Sequence, residues 1–277
     1  YNGSEKKKTM ILDGKKYLVK FPDLNRSPKL KISYINNVYS EYIGSKIFEL
    51  LGIDTQKVEL GYYIQEERKF YVCACEDFTT ENTKLIEFEK LENASLDSEG
   101  ERKDLSDITH IIDLNTYNIE KKSFKEFFWN MFIVDCLIGN TDRHNGNFGF
   151  VKNIKTEELT LAPVYDCGSC LFSTFTDEKM EEILKNEGFL RDCIKNTSSA
   201  IKYNGSKIKY YDFITKLEND DCTEALIRIY PRIDISKINN IIDDIPCIND
   251  IRKEFYKTII KYKYEDILKF AYKKRKK

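Results

Sequence analysis

The hydrophobic pattern of the chain changes period partway along it. Residues 8–12 and 15–21 alternate apolar and polar side chains around Asp13-Gly14. That pair suits a two-residue turn, because both positions tolerate positive φ, and a β-hairpin is predicted over 8–21. Residues 37–51 switch to a helical stripe through Val38, Ile43, Ile47, Leu50 and Leu51, and Gly52 follows where left-handed geometry ends a helix. Alternation returns over 58–64 and 69–75, which predicts two further strands. Residues 1–78 therefore read as a small β-rich lobe carrying one helix.

Residues 79–107 are dominated by Thr, Glu, Asn, Lys, Ser and Asp, and they predict a polar connector or exposed insertion within a hinge region spanning 79–122. The remainder, 123–277, reads as a mainly helical lobe. Ser123-Phe124-Lys125-Glu126 has the spacing of a capping box, and Phe127, Phe128, Met131, Phe132, Ile133 and Leu137 supply a broad apolar face behind it. Short strands are expected at 148–151 and 159–164, and amphipathic helices near 177–187, 209–218, 222–230, 236–243 and 250–272. The fold class expected is α+β: a small antiparallel sheet with one helix, joined to a larger helical part.

Composition narrows the function classes. The 277 residues are 41% hydrophobic and 33% charged, an ordinary globular balance. A net charge of -1, from 45 basic and 46 acidic residues, gives no strong nucleic-acid signal. The basic end Tyr272-Lys273-Lys274-Arg275-Lys276-Lys277 reads as a solvated tail. No apolar run reaches the roughly 20 residues of a membrane span. No leader is visible, although the first residue is Tyr1 and the natural start is left open. The eight cysteines are scattered and there are two histidines, so buried reduced thiols in a cytoplasmic protein are expected rather than a zinc site. Secretion as an effector stays open.

Candidate chemistry concentrates in Thr141-Asp142-Arg143-His144-Asn145-Gly146-Asn147 and, further on, Asp166-Cys167-Gly168. Asp142 precedes Asn147 by five positions, the spacing of a protein-kinase catalytic loop. Phosphoryl transfer uses such a set: one carboxylate orients the attacking hydroxyl and accepts its proton, while an amide oxygen and a second carboxylate hold metal on the phosphates. Earlier in the chain, Gly3, Ser4 and Lys6 sit in a small-residue segment suited to covering phosphates. Lys20 ends a strand where a phosphate-pairing lysine would stand, or else is an edge lysine facing solvent. Glu41, in the first turns of the 37–51 helix, is placed to pair with Lys20, or else simply favours a helix N-terminus. Glu76 and Phe78 leave the last strand of the small lobe where a hinge would offer backbone groups to an adenine ring; their side chains say nothing specific. His144 lacks a partner triad and reads as a brace for the loop or a phosphate contact.

In this order the motifs resemble the HipA-like serine/threonine kinases. Asp142-Arg143-His144-Asn145-Gly146-Asn147 is similar to their Asp-x-His-x-x-Asn loop, and Ala162-Pro163-Val164-Tyr165-Asp166 to the stretch before their metal aspartate. Tyr17-Leu18-Val19-Lys20-Phe21-Pro22 and Ser40-Glu41-Tyr42-Ile43-Gly44 resemble the compact CtkA-like subgroup. The resemblance implies a bilobal protein-kinase-like fold, distantly like phosphoinositide 3-kinase, that uses ATP and Mg2+. It implies Asp142 as catalytic base, Asn147 and Asp166 as metal ligands, Lys20 on the phosphates and the segment from Gly3 to Lys7 as phosphate-covering loop. A protein substrate with a Ser or Thr acceptor is implied, with autophosphorylation, and an antitoxin or other regulatory partner stays open. HipA toxins carry an additional N-terminal subdomain absent from this sequence. Three rivals stand beside this reading: a lipid or small-molecule kinase, a protein AMP-transferase, and a pseudokinase scaffold. The intact Lys20, Asp142, Asn147 and Asp166 weigh against the last.

Overall fold

The computed structural model describes residues 7–22, 37–95, 104–114 and 119–275. Strands β1 (Lys7–Leu12) and β2 (Lys15–Lys20) form the expected hairpin, with Asp13 at φ 50° and Gly14 at φ 76°. Both central turn residues are left-handed, which matches the twist of the flanking strands. β3 (Val58–Gln65) and β4 (Arg68–Glu76) complete a four-stranded antiparallel sheet in the order β1-β2-β4-β3. Helix α1 (Asn37–Leu50) covers one face, burying Ile43, Ile47 and Phe48 with Val58, Cys73 and Cys75, and Gly52 at φ 71° follows it. The opposite face holds a small separate cluster of Val19, Val72 and Ala74.

The expectation of a polar connector at 79–107 is overturned in part. Residues 83–87 form strand β5 (Thr83–Glu87), and α2 (Phe88–Ser95) follows directly. Leu85, Ile86, Phe88 and Leu91 are its few apolar positions, and packing them outweighs the polar composition; Phe88 is fully buried between Phe124 and Phe148. β5 pairs with β6 (Gly149–Asn153), which pairs with β7 (Leu159–Leu161). The register sets Glu87 opposite Gly149, where a Cβ would stand 2.3 Å from the Ile86 carbonyl oxygen. Only glycine lets those backbones approach.

After α3 (Leu105–Leu114), helix α4 (Lys121–Ile138) runs through the core with Phe128, Met131, Ile133, Val134 and Leu137 wholly buried. The capping box is not formed: the helix begins three residues earlier than that box would set it, with Glu120 at the cap position and no side-chain cap bond, and Ser123 Oγ donates back to Glu120. Then follow α5 (Asp177–Leu184), α6 (Glu187–Asn196), α7 (Tyr210–Lys216), α8 (Asp220–Ile229), which packs along α4, α9 (Ile235–Asp243), which packs on α1, and α10 (Asp250–Tyr262). A π-helical stretch, Lys263–Lys269, leads from α10 into α11 (Phe270–Lys274). A hairpin, β8 (Ser198–Tyr203) with β9 (Ser206–Lys209), was not predicted; it turns at Asn204-Gly205, both at positive φ. All eight cysteines are free and six are buried. Among the described residues no helix is long and apolar enough to cross a membrane.

Two backbone bonds join the α1–β3 connection to the segment before Asp166. Gln56 N–H donates to the Val164 carbonyl at 2.8 Å, and Val164 N–H donates to the Asp54 carbonyl at 2.9 Å. They bring the end of β2 and the Asp166 turn to one place.

Candidate active site

Lys20 ends β2 and is buried, so the solvent-facing edge alternative is excluded. Its Nζ donates to Glu41 Oε2 at 2.8 Å and to Asp166 Oδ1 at 2.7 Å. The three residues come from β2, α1 and the loop after β7, with 146 positions between Lys20 and Asp166. Asp166 adopts φ 59°, a left-handed conformation that Asp tolerates better than most residues.

The two carboxylates flanking Lys20 respond differently to it. Burial pushes Glu41 above the ordinary carboxylate range, against the pull of the Lys20 charge. At Asp166 burial also opposes ionisation, but the charge and hydrogen bond of Lys20, with Arg143 and Lys7 behind it, outweigh burial and draw the carboxyl down to about 2. Asp166 keeps about a third of its side chain exposed (37%), open to a ligand, while Glu41 is sealed at 0%. Glu41 therefore orients Lys20, and Asp166 is the carboxylate that meets the cleft.

The catalytic-type loop follows α4 through Gly139, whose φ of 64° turns the chain while its N–H bonds back to the Asp135 and Cys136 carbonyls. Asp142 is exposed. Its N–H donates to Asn140 Oδ1 at 3.1 Å, and its carbonyl accepts from the His144 N–H at 2.8 Å and from Asn147 Nδ2 at 2.8 Å. Anchoring Nδ2 leaves Oδ1 as the remaining polar end of Asn147, the end able to ligate a cation. His144 Nδ1 accepts the Gly146 N–H at 3.0 Å, so its imidazole braces the loop, one of the two roles expected of it.

Beneath the loop lies a buried clamp that the motif reading did not assign. Arg143 Nε donates to Asp135 Oδ2 at 2.9 Å and Nη2 to Asp135 Oδ1 at 3.2 Å. Nη1 donates to the Asn147 carbonyl at 2.8 Å and to the Tyr165 carbonyl. One guanidinium therefore fixes the backbones of both motifs against α4. Asn140 joins it, donating from Nδ2 to Asp135 Oδ1 at 3.0 Å. The signal was present in the sequence: Asp135 is the one charged residue in the apolar run from Met131 to Ile138. α2 props the loop from the other side. Glu92 Oε2 accepts from Asn145 Nδ2 at 2.7 Å, and the Glu89 N–H donates to the Asn145 carbonyl at 3.0 Å.

Lys7, Leu18, Lys20, Gln56, Glu87, Gly146, Asn147, Tyr165 and Asp166 line one cleft. Glu76 and Phe78 do not line it. The Glu76 carboxylate turns to Lys15 at 3.1 Å, and its N–H and carbonyl are engaged by Lys57 and Gln56. Phe78 packs its ring on Tyr165 at 5.9 Å. Those contacts concern the side chains, whereas the hinge expectation was of backbone groups, and the Phe78 ring lies on Tyr165, a residue of the cleft wall. Gly3, Ser4 and Lys6 lie outside the described residues. Among the described residues no three His, Cys, Asp or Glu converge as a self-sufficient metal site. Mg2+ does not need one, since it takes one or two protein ligands with phosphates and waters.

A buried Lys–Glu pair, an Asp-to-Asn loop on its own backbone bonds and a second Asp on the shared cleft define a phosphotransferase of the kinase class, on a bilobal α+β fold. A family profile described as HipA-like C-terminal domain matches residues 2–234, and the chain belongs to that family. It is 40% identical over 268 residues to the serine/threonine-protein kinase CtkA of Helicobacter pylori, covering 95% of this chain and 81% of that one. The crystal structure of a Helicobacter pylori proinflammatory kinase CtkA superimposes with a TM-score of 0.88 at 39% identity, over 97% of this chain and 93% of that chain. HipA from Shewanella oneidensis, solved with HipB and operator DNA, shares the fold alone at a TM-score of 0.62 and 16% identity, over 100% of this chain and 66% of that chain. The chain is thus an ATP-using phosphotransferase of the serine/threonine-kinase type.

Proposed function

We propose that this kinase transfers the γ-phosphoryl group of ATP to serine or threonine hydroxyls, on itself and on a protein partner, in a cleft bounded by Lys20, Asn147 and Asp166. The observation that carries the reading is Lys20 Nζ bonded at once to Glu41 at 2.8 Å and Asp166 at 2.7 Å. Lys20 pairs with the nucleotide phosphates and Glu41 holds its ammonium on them. Asp142 receives the acceptor hydroxyl and takes its proton. Asn147 Oδ1 and Asp166 are the side chains that would hold Mg2+, which when bound neutralises phosphate charge. Arg143 keeps the Asn147 and Tyr165 backbones fixed, so little reorganisation is needed during transfer.

A regulatory protein partner of the antitoxin kind also belongs to this reading; it rests on the likeness to the Shewanella assembly and extends to no DNA contact. The test is intact-mass analysis after incubation with ATP and Mg2+, comparing wild type with Asp142→Ala. The reading expects one or more phosphoryl additions on the wild type and none on the variant. An AMP-sized gain, or labelled phosphate found on lipid and not on protein, would replace it.

A further inference from the structure

Lys263 opens the π-helical stretch between α10 and α11 and is completely buried. Its Nζ has no hydrogen-bond partner among the described residues. A lone ammonium in such a place is among the costliest groups a core can hold, and π-wound turns occur often at functional sites. The lysine stem lies over Gly139. A Cβ built on that glycine would stand 3.0 Å from Lys263 Cε and 3.5 Å from Nζ. Gly139 is the left-handed residue that turns α4 into the Asp142 loop. The next residue, Asn140, receives the Asp142 N–H at 3.1 Å.

We propose that Lys263 is a positioning residue of the transfer reaction: its charged amine, set at the carbonyl end of α4, holds the Gly139 turn and, through Asn140, the orientation of Asp142. The proposal rests on the kinase reading above and extends it. The negative end of the α4 dipole favours a cation there. Burial draws the amine down to about 8, so its charge changes near physiological pH. Other groups packed nearby do not answer that charge. From α4, burial pushes the Cys136 thiol to about 12, and from α6 it raises Cys193; both stay neutral. From α4 also, the Asp135 carboxylate is committed to Arg143. From α7, Tyr210 donates its hydroxyl to the Asn140 carbonyl at 2.7 Å, and on the π stretch itself Asp266 pairs with Arg191.

The experiment compares wild type and Lys263→Met for kcat, ATP KM and melting temperature from neutral to alkaline pH. Wild-type kcat should fall as pH rises through about 8. The methionine variant should melt higher, because the desolvated charge is gone, yet turn over at least about tenfold more slowly. Its KM for ATP should stay within about twofold, and its alkaline limb should vanish. Wild-type kcat with the same limb in Lys263→Met overturns the proposal and leaves the kinase reading intact; no phosphotransfer by wild type sinks both. Should the methionine variant not fold, Cys193→Asp places a carboxylate beside the amine and must move the limb to higher pH. A limb that stays put contradicts the proposal.

Discussion

Replacing Asp135 by asparagine keeps the side-chain shape and removes the carboxylate paired directly with Arg143. Both residues are 1% exposed, so the guanidinium left behind is an uncompensated buried charge. Breaking a buried pair from one side costs about 3–5 kcal/mol. Set against a typical total stability of about 5–15 kcal/mol, Asp135→Asn should remain folded with a clearly lower urea midpoint. Turnover should fall as well, because Arg143 also holds the Asn147 carbonyl at 2.8 Å and the Tyr165 carbonyl, and misplacement by about 1 Å costs about a hundredfold in rate. The double variant Asp135→Leu/Arg143→Met separates the two effects. Removing both charges should recover most of the stability, since apolar replacements of buried pairs are often neutral or better, while leaving turnover low. Urea unfolding and a steady-state phosphotransfer assay read both quantities. If Asp135→Asn loses less than about 1 kcal/mol, or the double variant turns over like wild type, the clamp does not organise the site.

Gly149→Ala should lose about 1–3 kcal/mol through overpacking, because its Cβ would meet the Ile86 carbonyl oxygen at 2.3 Å and Glu87 Cα at 2.9 Å; thermal melting checks it, and an unshifted midpoint would mean β5 moves aside freely. Asp166 supplies a pH test with a definite sign. Its folded carboxyl is held at about 2, below the unfolded value near 3.9, so its stabilisation is complete above the unfolded value and is lost as pH falls through about 2. Asp166→Asn should therefore flatten the acid limb of stability between those values, and an identical limb in both proteins would deny the Lys20–Asp166 coupling.

Much of the fold was legible because local patterns agreed with tertiary packing. Asp13-Gly14 specified its hairpin turn, and Val38, Ile43 and Ile47 announced a helix that the structure places at Asn37–Leu50. Lys20, Glu41, Asp142, Asn147 and Asp166 were picked out by the fixed spacing or strand position of each motif, and the structure joins Lys20, Glu41 and Asp166 directly. Other parts depended on long-range contacts. Composition hid β5 and α2, where Leu85, Ile86, Phe88 and Leu91 find partners in β6 and α4 only after the chain folds back. The capping box at Ser123 failed because the helix simply starts earlier. The side chains of Glu76 and Phe78 carried no specific signal, and they are engaged by Lys15 and Tyr165 from neighbouring segments. The buried amine of Lys263 carried no local signal, since a lysine in a charged amphipathic stretch normally faces water.

The central claim is that Asn147 and Asp166 hold a divalent cation against nucleotide phosphates presented by Lys20. Electron paramagnetic resonance of Mn2+ with ADP, titrated into wild type and into Asn147→Ala and Asp166→Asn, addresses it without relying on turnover. Nucleotide-dependent Mn2+ binding in the wild type that each substitution weakens by at least about tenfold is the predicted result. Equal Mn2+ affinity in all three proteins, or binding indifferent to nucleotide, would contradict the account.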